Sequence, residues 1–323
     1  MNPYWNQDFF GFFVVLFSRL IGKISHEDLF TDEIQMLVLS GVAISTVTLG
    51  NFLTMRKMTM LANSLSHTTL LGIVLSYILL LHFHTHLGMC LHLTPSIFLL
   101  AALFSAVLTT FCTEFARNRL KLQEDASIGL VFTTLFALGI ILVTLFTRNS
   151  HIGVEVITGN SDALHVADIK MVWGVTAITL LFTALFFRHW ILITFDENLA
   201  LFLGVPVKGL HYLMMFLTAL TLISAFRAAG ILLVLSFIVG PPLIARLWSH
   251  KLFCVISLSL GFGVLFSILG VAVSRFCLSV YGLSFSTGAI VVTLIAMGYA
   301  ISVLLTFRSS KGLLLNNKGA TSA

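Results

Sequence analysis

Charged residues are scarce in this sequence. Lys, Arg, Asp and Glu together make up 10% of the 323 residues, and 58% of the residues are hydrophobic. A soluble domain carries about 25% charged residues, so a water-soluble globule is excluded. An intrinsically disordered chain, which needs high charge and low hydrophobicity, is excluded as well. The net charge of +5 is not concentrated in one segment, which argues against nucleic-acid binding. The composition, with a mean hydropathy of +1.03, is typical of a polytopic helical membrane protein.

The sequence also lacks the short motifs of several other protein classes. Its four cysteines, Cys90, Cys112, Cys254 and Cys277, show no CxxC spacing, so a disulfide framework is not expected. Neither HExxH nor GxSxG occurs, and no pair of intramembrane aspartates is present, which disfavours a membrane-embedded enzyme. The phosphate-binding loop GxxxxGK[ST] is missing too. If the protein is an ATP-driven transporter, the ATPase is therefore a separate polypeptide.

Stretches without Lys, Arg, Asp or Glu mark the candidate membrane spans. A bilayer core of about 30 Å requires about 20 apolar residues in a helix. The stretch 58–113 is too long for one span, and its polar middle at 82–95 predicts a loop between two helices. The sixth and seventh spans are separated only by residues 227–229, so they form either one bent helix or a pair that includes a re-entrant segment. We expect an all-α protein with about nine transmembrane helices, in a range of eight to ten, near 34–54, 60–81, 95–113, 127–147, 169–187, 210–226, 229–245, 252–274 and 286–307.

The positions of the basic residues predict the orientation, because short cytoplasmic loops are enriched in Lys and Arg. With Arg56 and Lys57 placed in the cytoplasm, twelve of the 18 basic residues fall on that side. The C-terminus is then cytoplasmic. The predicted organisation is an interfacial N-terminal segment at 1–33, a transmembrane domain at 34–308 and a polar cytoplasmic tail at 309–323.

His67 is the most conspicuous ionisable residue inside a predicted span. Such side chains are costly within a membrane and usually face a pathway. Asn63 precedes His67 by four residues, so both side chains lie on the same face of a helix, and Ser66 adjoins them. An imidazole and an amide oxygen can bind a transition-metal ion. The alternative is a histidine that only packs against a neighbouring helix.

A second histidine-rich segment falls in the predicted outer loop. It carries no Lys or Arg, and its side chains suit a borderline metal ion. The residues are His82, His84, His86, Cys90 and His92. One interpretation is a metal relay at the mouth of a pathway, and the other is a solvated loop with incidental histidines.

Five segments occur in the order and spacing of a known family. They are 58–67 with Gly72, 124–129, 195–204, 227–234 continued by 241–246, and 287–289. In these segments the chain resembles the integral-membrane permeases of bacterial ABC importers for zinc, manganese and iron, over about residues 34–307. The family has an aspartate where this chain has Asn63, and prolines where it has Leu71 and Ser286.

The resemblance implies a transport subunit without catalytic residues, related in fold to the cobalamin- and siderophore-type permeases. It implies a multi-pass protein of the bacterial cytoplasmic (inner) membrane, surrounded by lipid, with no permanently bound cofactor and no nucleic-acid partner. The implied partners are cytoplasmic ATPase subunits that bind ATP, an extracytoplasmic metal-binding protein and a second permease subunit. A divalent Zn, Mn or Fe ion would pass along His67, Asn63 and Ser66. A second, non-identical permease could supply the carboxylate that Asn63 replaces, which slightly favours a heterodimer over a homodimer.

Two predicted cytoplasmic loops are candidates for contact with the ATPase. In 241–251, Pro241 and Pro242 are expected to break the seventh span, so that Ile244, Arg246 and Trp248 become available to a partner. In 195–207, Asp196 can cap a short helix that ends near Leu203, Gly204 and Pro206. The resemblance to the cobalamin permeases favours 241–251, with the other loop in support. The alternative for both loops is a plain connector.

Other functions fit a polytopic membrane protein. A permease for a metal chelate, such as a siderophore or cobalamin, needs a wider cavity and no pathway histidine, so His67 favours a bare ion. A membrane-embedded enzyme is disfavoured by the missing motifs. A stand-alone channel is disfavoured by the two candidate contact loops.

Overall fold

The computed structural model describes residues 4, 9–21, 30–87, 95–147, 161–162 and 164–320. All regular elements in this described part are α-helices. They are α1 (Phe9–Leu20), α2 (Thr31–Met55), α3 (Thr59–Leu87), α4 (Pro95–Leu120), α5 (Glu124–Thr147), α6 (Val166–Leu185), α7 (Phe187–Phe195), α8 (Glu197–Phe202), α9 (Val207–Ala229), α10 (Ile231–Trp248), α11 (Leu252–Tyr281) and α12 (Thr287–Ala320).

The all-helical membrane architecture predicted from the sequence is confirmed. Among the described residues nine helices are 18 residues or longer, and they occupy the positions of the nine predicted spans. Seven of the nine are apolar enough over their described residues to cross a membrane: α2, α5, α6 and α9 to α12. The observed helices run past the predicted ends. α3 continues to Leu87, so the first part of the predicted loop at 82–95 is helical, and α12 continues to Ala320, into the expected polar tail. A helix can extend beyond its apolar residues because its hydrogen bonds are formed by the backbone and not by the side chains.

A single glycine separates the sixth and seventh spans. Gly230 lies between α9 and α10 with φ 79° and ψ 160°, a conformation that residues with a Cβ rarely adopt. Its N–H donates to the Phe226 carbonyl at 2.9 Å, which closes the last turn of α9. The two spans are thus separate helices, and the break lies one residue beyond the predicted boundary at 227–229.

Helix α2 lies at the centre of the protein. Most of its residues are buried, and it packs against α6, α9, α10 and α11. α3 packs mainly against α4 and α5, and α9 contacts α3 and α4 as well as α2. Two glycines allow close approach: a Cβ at Gly50 would lie 2.3 Å from the Ile238 carbonyl oxygen of α10, and one at Gly72 would lie 2.4 Å from the Ala101 carbonyl oxygen of α4. Small residues at such crossings are the usual means of packing membrane helices.

Polar contacts tie the helices together at one end of the bundle. Arg275 Nε, near the end of α11, donates to Asp32 Oδ1 of α2 at 2.8 Å, and its Nη2 bonds the other carboxylate oxygen. Glu33 pairs with Arg19 of α1 at 3.1 Å and accepts a hydrogen bond from the Tyr4 hydroxyl at 2.7 Å. Burial and the Glu33 carboxylate raise the pKa of Tyr4, so its hydroxyl remains a donor. The orientation predicted from the basic residues places all of these residues on the outer side.

The opposite end of the bundle carries the other predicted loops. Arg56, in the turn between α2 and α3, lies 4.0 Å from Glu197 of α8. Both residues belong to loops that the sequence places in the cytoplasm. The contacts at the two ends therefore agree with the predicted sorting of the loops into two sides.

Candidate functional site

Asn63 and His67 lie near the beginning of α3. The helix starts at Thr59, after a turn in which Lys57 has a φ of 60°. Both side chains are half-buried, and Met60 on the same side of the helix is exposed. The spacing of four residues therefore places the amide and the imidazole along one partly open stripe, as predicted. Ser66 is fully buried, and its Oγ donates to the Asn63 carbonyl at 2.6 Å, so its hydroxyl is not on this stripe.

Two phenylalanines of α5 surround the His67 ring. The ring centroid of His67 lies 5.4 Å from that of Phe132 and 5.2 Å from that of Phe136. The two phenyl rings are stacked on each other at 5.9 Å. Helix α5 can approach α3 closely at Gly139 because this residue has no side chain. A Cβ there would lie only 3.3 Å from the Leu71 nitrogen. These contacts position the imidazole by packing. Spacing along one helix could not reveal the two rings, because they come from a different helix.

The stripe offers few groups that could bind a metal ion. In the described portion of the chain no group of three or more His, Cys, Asp or Glu side chains could hold a metal ion. Asn63 and His67 supply one amide oxygen and one imidazole nitrogen, which is fewer than the four ligands of a closed zinc site. Such a pair suits an ion that passes through better than an ion that stays.

The predicted outer histidine cluster falls largely outside the described structure. His82, His84 and His86 lie in the last turns of α3, where the structure describes the backbone alone. Cys90 and His92 lie outside the described residues. A metal relay formed by these five residues stays a prediction.

The segment 195–207 forms the capped helix that its sequence predicts. Asp196 Oδ1 accepts a hydrogen bond from the Leu199 N–H at 2.9 Å and caps α8, and Gly204 follows the helix with a φ of 74°. Phe202 is 90% exposed and Leu203 is 65% exposed. An apolar surface thus projects from a short helix at the Arg56 end of the bundle. The apolar run at 199–203, which lies outside any predicted span, is the sequence feature from which this exposed apolar surface could be predicted.

The expectation for the segment 241–251 is wrong in its local structure. Pro241 and Pro242 do not break the seventh span, since both lie inside α10 and are buried. Membrane helices tolerate proline because neighbouring helices and local adjustments compensate for the lost hydrogen bonds. Ile244 and Ala245 are buried in the bundle, and only Arg246 and Trp248 at the end of α10 are exposed. The exposed part of the segment is therefore its end, at Arg246, Trp248, His250 and Lys251, and Ile244 is not available to a partner.

Comparison with known proteins gives the family. Residues 31–306 match the ABC 3 transport family. The chain belongs to this family. The resemblance drawn from the five sequence segments is thereby confirmed, and the chain is a multi-pass permease of the bacterial inner membrane.

Relatives of similar length carry more specific names. A probable metal transport system membrane protein of Chlamydia muridarum is 40% identical over 319 residues, which cover 98% of each chain. The manganese transport system membrane protein MntD of Bacillus subtilis is 31% identical over 246 residues, which cover 71% of this chain and 78% of the relative.

Solved structures agree with the fold. PsaBC from Streptococcus pneumoniae, solved in complex with Fab, superposes with a TM-score of 0.68 at 26% identity, covering 88% of this chain and 95% of that chain. An inward-facing putative metal-chelate type ABC transporter superposes with a TM-score of 0.58 at 15% identity over 84% of each chain. The second likeness concerns the fold alone, and it bears out the predicted relation to chelate-type permeases.

Proposed function

We propose that this chain is the permease subunit of an ATP-driven importer for a divalent transition-metal ion, and that manganese is its substrate. The observation that carries the proposal is the half-buried stripe of Asn63 and His67 on α3. Oxygen and imidazole donors suit manganese, zinc and ferrous iron alike. Manganese is favoured because relatives over most of the chain are named manganese transport proteins.

A second permease subunit completes the proposed site. The stripe of Asn63 and His67 is partly open, and the two donors do not fill the coordination sphere of a cation. A second subunit facing this stripe would bring an equivalent pair of donors. Because Asn63 carries no charge, a partner with a carboxylate at this position would bind a dication more strongly, so we favour a heterodimer.

Helix α8 is the proposed ATPase contact. It lies outside the spans, is capped by Asp196, and exposes Phe202 and Leu203. The ion pair of Glu197 with Arg56 connects it to the turn from which α3 begins. Since α3 carries His67, movement of α8 has a short route to the metal pathway. Arg246 and Trp248 at the end of α10 supplement this surface.

Transport by reconstituted vesicles tests the proposal. The permease, its ATPase and its metal-binding protein are assayed for ATP-dependent uptake of radioactive manganese, zinc and iron, and of an iron siderophore. We expect manganese uptake that His67→Ala reduces by at least about tenfold, the lower range of losses at metal sites, while ATP hydrolysis continues. His189→Ala, at an exposed histidine of α7, is the control.

Three results would each contradict a part of the proposal. If His67→Ala transports manganese at the wild-type rate, the stripe on α3 is not the pathway. If the siderophore is taken up and the bare ions are not, the chain is a chelate permease. Full transport by a complex with this chain as its sole permease would refute the heterodimer.

A further inference from the structure

An apolar groove runs between α4 and α9 on the surface of the bundle. Its volume is about 280 Å³, and its walls include Val107, Thr110 and Phe111 of α4 and Tyr212, Phe216 and Ala219 of α9. Val107, Phe111, Tyr212 and Phe216 are exposed, so the groove opens outward. None of its lining residues belongs to α3, which carries the proposed metal pathway.

The groove leads to basic side chains at one end. On α9 the stripe of Ala219, Phe216 and Tyr212 continues, in a further step of four residues, to the exposed Lys208. Residues at this spacing share a helix face. Four residues separate the start of α9 from the end of α8, whose Glu197 pairs with Arg56. This end of the groove is therefore the predicted cytoplasmic end.

Helix α4 brings further positive charge to the same end. Its groove-lining face continues to Glu114 and Arg117, which form an ion pair at 4.0 Å. Arg119 in the last turn of α4 and Lys121 just beyond its end at Leu120 are both exposed. Two acidic residues, Glu124 and Asp125, begin α5. Helices α5 and α9 both pack against α3 and α4, and Phe132 and Phe136 of α5 contact the His67 ring of α3. Lys121, Arg119 and Lys208 lie at this same end of the two helices that form the groove, and we call them the basic rim.

We propose that this groove binds one acyl chain of an anionic phospholipid whose headgroup lies at the basic rim. The groove follows α9 for about 10 Å, since Tyr212 and Ala219 are seven residues apart and the rise is about 1.5 Å per residue. A methylene chain can lie along an apolar groove of this length. Tyr212, between the apolar walls and the rim, matches the placement of tyrosine at membrane interfaces. Basic pockets between membrane helices on the cytoplasmic side are typical sites for anionic headgroups.

Lipid retention by the full transporter tests the proposal. The complex is purified from membranes containing phosphatidylglycerol and phosphatidylethanolamine, and the lipids bound to it are counted by native mass spectrometry. We expect one phosphatidylglycerol to be retained in preference to phosphatidylethanolamine. The double variant Lys121→Gln/Lys208→Gln should lose the preference, and Val107→Trp, which blocks the groove with a bulky ring, should lose the lipid.

Matched controls separate the groove from the rest of the surface. Lys251→Gln removes an exposed charge at the same end, and Leu181→Trp adds a ring at an exposed position of α6. Both should retain the lipid. Equal retention of phosphatidylglycerol by the wild type and the groove variants would overturn the proposal. So would a disulfide between two permease copies through cysteines placed at Val107 and Phe216, which would make the groove an interface between subunits.

Discussion

Asn63 is the residue at which we expect the cation affinity of one subunit to be set. An amide offers an oxygen ligand without charge, whereas a carboxylate at the same position would add a direct Coulomb attraction to a divalent ion. We predict that Asn63→Asp strengthens binding of Mn²⁺ to the purified permease by at least about tenfold, a change of the size that single groups cause at metal sites. Electron paramagnetic resonance of free Mn²⁺ measures it. Asn198→Asp, at an exposed position of α8, adds the same charge elsewhere and should leave the affinity unchanged. Equal affinities of wild type and Asn63→Asp would remove Asn63 from the pathway.

Gly50 is required for the contact between α2 and α10. A Cβ at this position would lie 2.3 Å from the Ile238 carbonyl oxygen, a backbone atom that cannot swing away. We predict that Gly50→Ala lowers stability by about 1–3 kcal/mol, the usual cost of overpacking. Thermal unfolding of the detergent-solubilised protein measures the loss. Gly261→Ala is the matched control, because a Cβ there meets nothing within 4 Å. Equal melting temperatures for the two variants would mean that the helices separate at little cost.

At the scale of single elements, α8 carries the proposed contact with the ATPase. We predict that Phe202→Asp/Leu203→Asp abolishes copurification of the ATPase, because the substitutions place charge on an exposed apolar surface. Asp196→Ala should weaken it less, since loss of an N-cap costs about 1 kcal/mol. Phe285→Asp, at an exposed site next to the outer end of α12, is the control. If Trp248→Asp rather than the α8 variant releases the ATPase, the end of α10 is the principal contact.

The same elements show what the sequence can predict. The spans followed from charge-free stretches, because hydrophobic length is set by the bilayer alone. The cap at Asp196 followed from local hydrogen bonding, which involves neighbours in the chain. The continuation of α10 through Pro241 and Pro242 did not follow, because it depends on the helices packed around them. For the same reason the burial of Ser66 and Ile244, and the rings of Phe132 and Phe136 beside His67, could not be predicted.

For the whole molecule, the polar contacts at the predicted outer end connect distant parts of the chain. Asp32 and Arg275 are 243 residues apart and join the beginning of α2 to the last turns of α11. Glu33 holds α1 through Arg19 and accepts a hydrogen bond from Tyr4, which precedes α1. Asp32 and Arg275 are largely buried, whereas Glu197 in the pair with Arg56 at the other end is half exposed. Burial makes the loss of one partner costly, because the remaining charge is left without compensation.

A double-mutant cycle of Asp32 and Arg275, compared with a single variant at Glu197, measures this difference between the two ends. We predict that Asp32→Asn lowers the stability of the permease by about 3–5 kcal/mol, as expected for breaking a buried ion pair. Asp32→Asn/Arg275→Gln should cost less than the sum of the two single changes, because the double variant leaves no unpaired charge. Glu197→Gln, with its partner Arg56 at 4.0 Å, should cost about 0–1 kcal/mol, the range of exposed pairs. Thermal unfolding in detergent measures all four variants. Additive effects at Asp32 and Arg275 would mean that the outer end is held by packing of the helices and not by this ion pair.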